Sequence, residues 1–176
     1  MNNLADFPEI ADKMGELGVK KCVVSFYDPY KKVEKRTAHL ALKGREPIRF
    51  MDPGPEKKLE VLRRMARLLA PLGITLGLCC ESQLLLRIRE IPDHTPAGKE
   101  LKCIESNACI DGHYLKALYG GTPTLARDFG QRAQKGCQCT RSVDIGSYED
   151  HPCFHDCLFC YANTGLDTRI KTELKK

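Results

Sequence analysis

Apolar residues recur at helical spacing in "PEIADKMGEL", residues 8–17, where Ile10, Met14 and Leu17 share one face. Pro8 opens this segment and Gly18 supplies a stop, so the pattern predicts a helix over 8–17. "KKCVVSFYD", 20–28, is a short apolar run rich in β-branched and aromatic residues, which predicts a buried strand ending at Asp28-Pro29. Residues 30–54 show no clear period and close on the turn cluster "MDPGP". From Pro55 a long helix is expected, with Leu59, Leu62, Met65, Ala66 and Leu69 as its apolar stripe. "PLG", 71–73, ends it, and "ITLGLCC", 74–80, predicts a second buried strand. A helix is expected over 82–89, then a proline-containing loop over 91–100. A short helix follows over 111–120, with Asp111 at its N-cap and Gly120 at its end.

Alternation of helix and strand predicts an α/β fold: a parallel sheet or a partial β/α (TIM-like) barrel. From about residue 130 the composition turns to Gly, Cys, Asp and Tyr. The expected organisation is therefore a partial β/α domain over 1–130 and a Cys-rich cluster-binding segment over 131–176. The array starts on a helix with no strand before it, which predicts that the start of a longer β/α array is missing.

Composition narrows the class. A chain of 176 residues, 42% hydrophobic and 29% charged, is long enough for one core and too apolar for a disordered tail. No stretch approaches the ~20 apolar residues of a membrane span. The first residues carry acids and no apolar segment, against a secretory signal, so a cytoplasmic location is expected. Net charge is +5, and many basic residues alternate with acids and leucines in "EKKLEVLRRMARLLA". That pattern reads as a solvated helix face, and nucleic acid is not indicated.

The ten cysteines change the picture most. With no secretory signal and an adequate core, metal or cluster binding is favoured over a disulfide framework. "HPCFHDCLFC" spaces Cys153, Cys157 and Cys160 as C-x3-C-x2-C. A closed [4Fe–4S] centre takes four thiolates, so three on one loop leave one iron open. With aromatic Phe159 before the last cysteine, the run resembles the cluster motif of the radical S-adenosylmethionine superfamily. That resemblance implies a [4Fe–4S] cluster held by Cys153, Cys157 and Cys160. It also implies S-adenosylmethionine on the open iron and Phe159 beside the adenine. The wider "GCQCTRSVDIGSYEDHPCFHDCLFCYAN", 136–163, looks like the C-terminal signature of an uncharacterised bacterial family with such a terminal cysteine cluster. "KKCVVSFYDPYKK", "LCCE" and "ACIDG" extend the likeness over nearly the whole chain. Members of that family are longer, and the radical enzymes usually carry the motif near the N-terminus rather than last.

The remaining cysteines divide. Cys80, Cys109, Cys137 and Cys139 are expected to hold a second Fe–S cluster, and Cys22 and Cys79 to pack in apolar strand runs. Cys103 receives no role. Glu81, beyond a strand's carboxyl end, is expected to contact a bound cofactor. His151 and His155 flank the cluster loop, where a hydrogen bond to sulfur and plain solvation weigh equally. Gly146 suits a tight backbone path. The function expected is an iron–sulfur protein of radical S-adenosylmethionine type. The alternative is a structural zinc module drawing four thiolates from Cys137, Cys139, Cys153, Cys157 and Cys160. Partners expected are an unidentified substrate, an electron donor if the radical step runs, and another chain that supplies the missing barrel half.

Overall fold

The computed structural model describes residues 3–28, 30–42, 50–130, 132–143, 146 and 157–160. The chain divides into two units. The first comprises Met1–Phe26 and Pro53–Ser142, the second Tyr27–Asp52 and Val143–Lys176.

In the first unit an open, parallel, three-stranded sheet is packed with helices. The strands are β1 (Lys21–Val24), β2 (Thr75–Leu78) and β3 (Glu105–Ser106), in that spatial order. Cys22 pairs with Leu76 and Val24 with Leu78, and Leu78 pairs with Ser106. The mixed α/β character and the parallel sheet follow the alternation in the sequence. The described strands are shorter than the apolar runs that announce them.

Strand alternation sorts the sheet's two faces. On one, Cys22, Val24, Leu76 and Leu78 join the main core. Helices α1 (Asn3–Glu16), α3 (Pro55–Leu69), α4 (Ser82–Glu90) and α5 (Pro96–Leu101) supply most of the rest of that core, with Ile74 and Ile104 from the connections. The stripe expected on α3 is present: Leu62, Met65, Ala66 and Leu69 are buried, with Leu59 packed beside them. Residues Val23 and Gly77 lie on the opposite face, and there the cysteines collect.

Helix α1 corrects the sequence reading. It starts at Asn3 and runs through Pro8 instead of opening on it. Its buried stripe is Phe7 and Ala11, with Leu4 and Met14 packed alongside, while Ile10 and Leu17 are exposed. Burial of the whole stripe, Leu4, Phe7, Ala11 and Met14, offsets the backbone hydrogen bond that proline removes. The segment 91–100 also differs, because α5 starts at Pro96. Thr95 caps it by accepting the Gly98 N–H at 3.0 Å. Helix α6 (Gly112–Tyr119) matches expectation, with the Asp111 carboxylate accepting the Tyr114 N–H at 3.0 Å and Gly120 closing the end.

The second unit holds helix α2 (Lys31–Leu42), which the sequence pattern did not suggest. Its buried positions are Val33, Arg36 and His39. Two of the three are polar, so no apolar period marks the helix. Among the described residues, no helix is long and apolar enough to cross a membrane.

Candidate metal centre

Three chain segments bring cysteines together at the carboxyl edge of the sheet. The first is the end of β2. Cys79 continues the ladder, its N–H donating to the Val24 carbonyl at 2.9 Å. Cys80 then turns sharply, with φ +63°, and is the sole non-glycine residue with positive φ among the described residues. Side chains strain this conformation by roughly 1–2 kcal/mol, and such strain clusters at functional sites. The turn leaves the Cys79 and Cys80 sulfurs 3.4 Å apart.

The second segment follows β3. Asn107 N–H donates to the Leu78 carbonyl at 2.8 Å, which carries the chain past β2 to Cys109. Gly77 makes room for this path: a Cβ there would overlap the Asn107 side chain.

The third is the loop bearing Cys137 and Cys139, which is fastened mainly through its backbone. Gly136 takes φ +82°, and a Cβ there would sit 2.9 Å from Ser82 Cβ. Arg127 Nε donates to the Cys137 carbonyl at 2.7 Å, and Asp128 N–H to the Cys139 carbonyl at 2.9 Å. Thr140 N–H donates to the Ile110 carbonyl at 2.9 Å, while Thr140 Oγ1 accepts the Gly112 N–H at 3.0 Å. These bonds place the third segment against the second.

Five thiols meet as a result. The sulfurs of Cys79, Cys80 and Cys137 lie within 4.8 Å of one another, as do those of Cys79, Cys109 and Cys139. Cys79 belongs to both groups, and hydrogen bonds link Cys80 to Cys137 and Cys137 to Cys139. Cys79, Cys80 and Cys139 are buried and Cys109 is exposed. Val23 and Ala108 pack against the cluster.

The protons are unevenly held. Burial, then the neighbouring Cys79 thiol, pushes Cys80 well above the ordinary thiol range, with Arg132 opposing. The same two causes push Cys109 up to about 12. Burial acts upward on Cys139 too, but hydrogen bonds from the Ile110 and Cys109 backbone and from the Cys137 and Cys79 thiols outweigh it. Cys139 ends below its ordinary value. Backbone N–H groups aimed at one sulfur suit a thiolate. A metal takes thiolates, so its binding works against the upward push on Cys80 and Cys109.

Sulfur spacing limits what fits. Four sulfurs about 2.3 Å from one tetrahedral ion lie roughly 3.8 Å from each other. A [4Fe–4S] cube puts each thiolate on a different iron and spreads them further. Each group of three sulfurs, all within 4.8 Å of one another, has the tighter spacing.

Several residues singled out in the sequence meet here. Of the four cysteines expected to share a centre, Cys80 and Cys137 fall in one group of three and Cys109 and Cys139 in the other, with Cys79 common to both. Cys79, read as a packing residue, is buried as expected and also joins the thiols. The β2 run is apolar on both sides of Cys79, so only the adjacent Cys80 hinted at this. Cys22 faces the main core, where burial raises its thiol. Cys103 is exposed, and its thiol donates to the Glu100 carbonyl at 3.2 Å. Glu81 accepts the Phe26 N–H at 3.1 Å and pairs with Lys58 at 3.5 Å. The Lys58 ammonium also lies 5.1 Å from the Phe26 ring centroid. Glu81 therefore ties the end of β1 to the end of β2, directly after the cysteine pair.

In the second unit Cys157–Cys160 forms a turn, closed by Cys160 N–H donating to the Cys157 carbonyl at 3.0 Å. Phe159 packs against Phe50 and Tyr27 with ring centroids 4.2 and 5.5 Å away. Cys153, His151 and His155 lie outside the described residues. Gly146 is described, and a Cβ there would meet nothing within 4 Å.

Comparison with curated proteins and with solved structures finds no match. A family model does match, over residues 2–162. A cysteine-rich chain with grouped thiols able to take a metal ion thus belongs to the family described as a domain of unknown function, DUF1848.

Proposed function

We propose that this chain is a metal–thiolate protein with two centres. The observation that carries the reading is the convergence of five thiols from three separate segments at the carboxyl edge of a parallel sheet. Open α/β sheets bind their ligands at that edge. Five sulfurs gathered from three segments have little reason to be grouped unless a cation joins them. The first centre is one tetrahedral ion, zinc or iron, on four of Cys79, Cys80, Cys109, Cys137 and Cys139. The close spacing within each group of three, which share Cys79, supports this over a four-iron cube in the same place.

The second centre is a [4Fe–4S] cluster on Cys153, Cys157 and Cys160, in the manner of radical S-adenosylmethionine enzymes. Phe159 stands beside the adenine and the sheet belongs to a partial β/α barrel. Motif spacing and the aromatic residue before the last cysteine support this part. Such a cluster, with S-adenosylmethionine bound, supplies one-electron cleavage of the sulfonium. The chain's own share is to hold the ligands and shape the pocket.

Anaerobic purification followed by metal and sulfide analysis tests both parts. The expected protein is brown, absorbs broadly near ~400 nm and bleaches with dithionite. It retains one further thiolate-bound ion that Cys79→Ser releases. A colourless protein holding zinc alone leaves the structural module and removes the cluster. A chain that takes up neither metal overturns the whole reading. If iron is present, 5′-deoxyadenosine formed with added S-adenosylmethionine and reductant tests the radical step.

A further inference from the structure

Arg36 is charged, yet its residue is 1% exposed. It extends from α2 to a turn more than a hundred residues later in the chain. There Nη1 donates to three backbone carbonyls: Cys157 at 3.3 Å, Leu158 at 3.0 Å and Cys160 at 2.6 Å. A guanidinium is planar, permanently charged and rigid, so converging carbonyls are fixed in direction as well as place.

That direction has a consequence for the other side of the turn. In a trans peptide the N–H points opposite to the carbonyl it follows. No cis peptide bond occurs among the described residues. With the Cys157 and Leu158 carbonyls turned to Arg36, the Leu158 and Phe159 N–H groups point away from it. Neither N–H has an acceptor among the described residues. Phe159 is further held by Phe50 and Tyr27. Two adjacent N–H groups flanked by two thiols make a concave donor surface for an anion, and N–H groups of this kind bond the sulfurs of iron–sulfur centres.

We propose that Arg36 is the positioning residue of the cysteine turn. By holding the carbonyls on its own side, it presents Cys157, Cys160 and the Leu158 and Phe159 N–H groups to a metal–sulfur centre on the other. The inference rests on the reading of this turn as a cluster site and is independent of the five-thiol centre. Its buried charge also favours the more reduced, more negative state of that centre.

The test uses the full chain, reconstituted anaerobically with iron and sulfide. A Cys157→Ser/Cys160→Ser variant defines which iron and which paramagnetic signal belong to the turn. Arg36→Gln is expected to lose at least tenfold of that signal while the ion bound by the five thiols stays. Arg36→Lys keeps the charge but not the fork. It is expected to retain a centre with an altered spectrum and partial occupancy. Where Arg36→Gln binds any cluster, its reduction potential falls below that of Arg36→Lys. If Arg36→Gln fails to fold by circular dichroism, Arg36→Lys decides through occupancy and spectrum. Occupancy, spectrum and potential unchanged from wild type in a folded Arg36 variant overturn the proposal. So does a Cys157→Ser/Cys160→Ser protein that loses no iron. Loss of metal from the five thiols alone speaks against the other centre and leaves this one standing.

Discussion

Residue by residue, the five thiols are not equivalent. Cys79 belongs to both groups of three, and Cys109 alone is exposed. Removing Cys79 breaks both groups, whereas removing Cys109 leaves the group of Cys79, Cys80 and Cys137 intact, with Cys139 as a fourth thiol. Cys79→Ser is therefore expected to weaken metal binding at least tenfold more than Cys109→Ser, read by competition with a chromogenic chelator. Equal losses would argue against a site centred on Cys79. Cys80 makes a separate point about strain. Its φ of +63° suits glycine and costs any residue with a Cβ. In metal-free protein, Cys80→Gly should be more stable than Cys80→Ala by about 1 kcal/mol in urea unfolding. Both variants should lose metal affinity alike. Strain retained at a thiol that glycine would relieve indicates that the sulfur, not the fold, requires a cysteine there.

Among the elements, the approach of the Asn107 segment to β2 decides whether Cys109 reaches Cys79. Gly77→Ala places a methyl against the Asn107 side chain. The expected cost is about 1–3 kcal/mol from overpacking, with weaker metal binding because Cys109 moves outward. Asn107→Gly in the same chain should restore much of both, measured by denaturation and by metal retention. A second element-level expectation concerns α3 and α5. Arg67, then Arg63, hold the Glu100 carboxyl below the usual carboxylate range, through bonds of 2.6–3.2 Å. A depressed folded value means the stabilisation is complete above the unfolded value and fades as pH falls through the folded one. Glu100→Gln should therefore be less stable than wild type at neutral pH, and the gap should close in acid. Glu100 is only half-buried and Arg67 is exposed, so solvent screens the pair and the gap is small. These contacts also show what the sequence made legible. Helix α3 could be read because all its buried positions are apolar. Helix α2 could not, because Arg36 and His39 occupy buried positions and erase the period. Cys80, Cys109, Cys137 and Cys139 could be grouped as thiols left over from the terminal motif. Cys79 could not, because an apolar strand accommodates a cysteine for packing alone, and only the turn at Cys80 brings its sulfur to the others.

At the level of the whole molecule, the sheet is small and its second face has little apolar cover. Val23 and Ala108 are the non-cysteine hydrophobic residues packed against the buried thiols among the described residues. The core on the other face is continuous through α1, α3, α4 and α5. The face bearing Cys79 is instead closed by the 107–112 segment and by 126–130 and 132–141, joined at Thr140, whose N–H donates to the Ile110 carbonyl and whose Oγ1 accepts the Gly112 N–H. Few apolar side chains hold those segments, so a metal shared by all three thiol-bearing segments would act as their fastening. Binding to the folded state stabilises by about 4 kcal/mol when free metal exceeds its dissociation constant a thousandfold. Stripping the metal should then lower the unfolding midpoint and, more tellingly, should do so unevenly. Amide hydrogens at 126–141, such as the Thr140 and Arg141 N–H groups, should exchange much faster after chelation. Those inside α3 should change only as global stability changes. If chelation slows or leaves unchanged the exchange at 126–141, the five thiols do not fasten this face, and its closure must come from the backbone bonds alone.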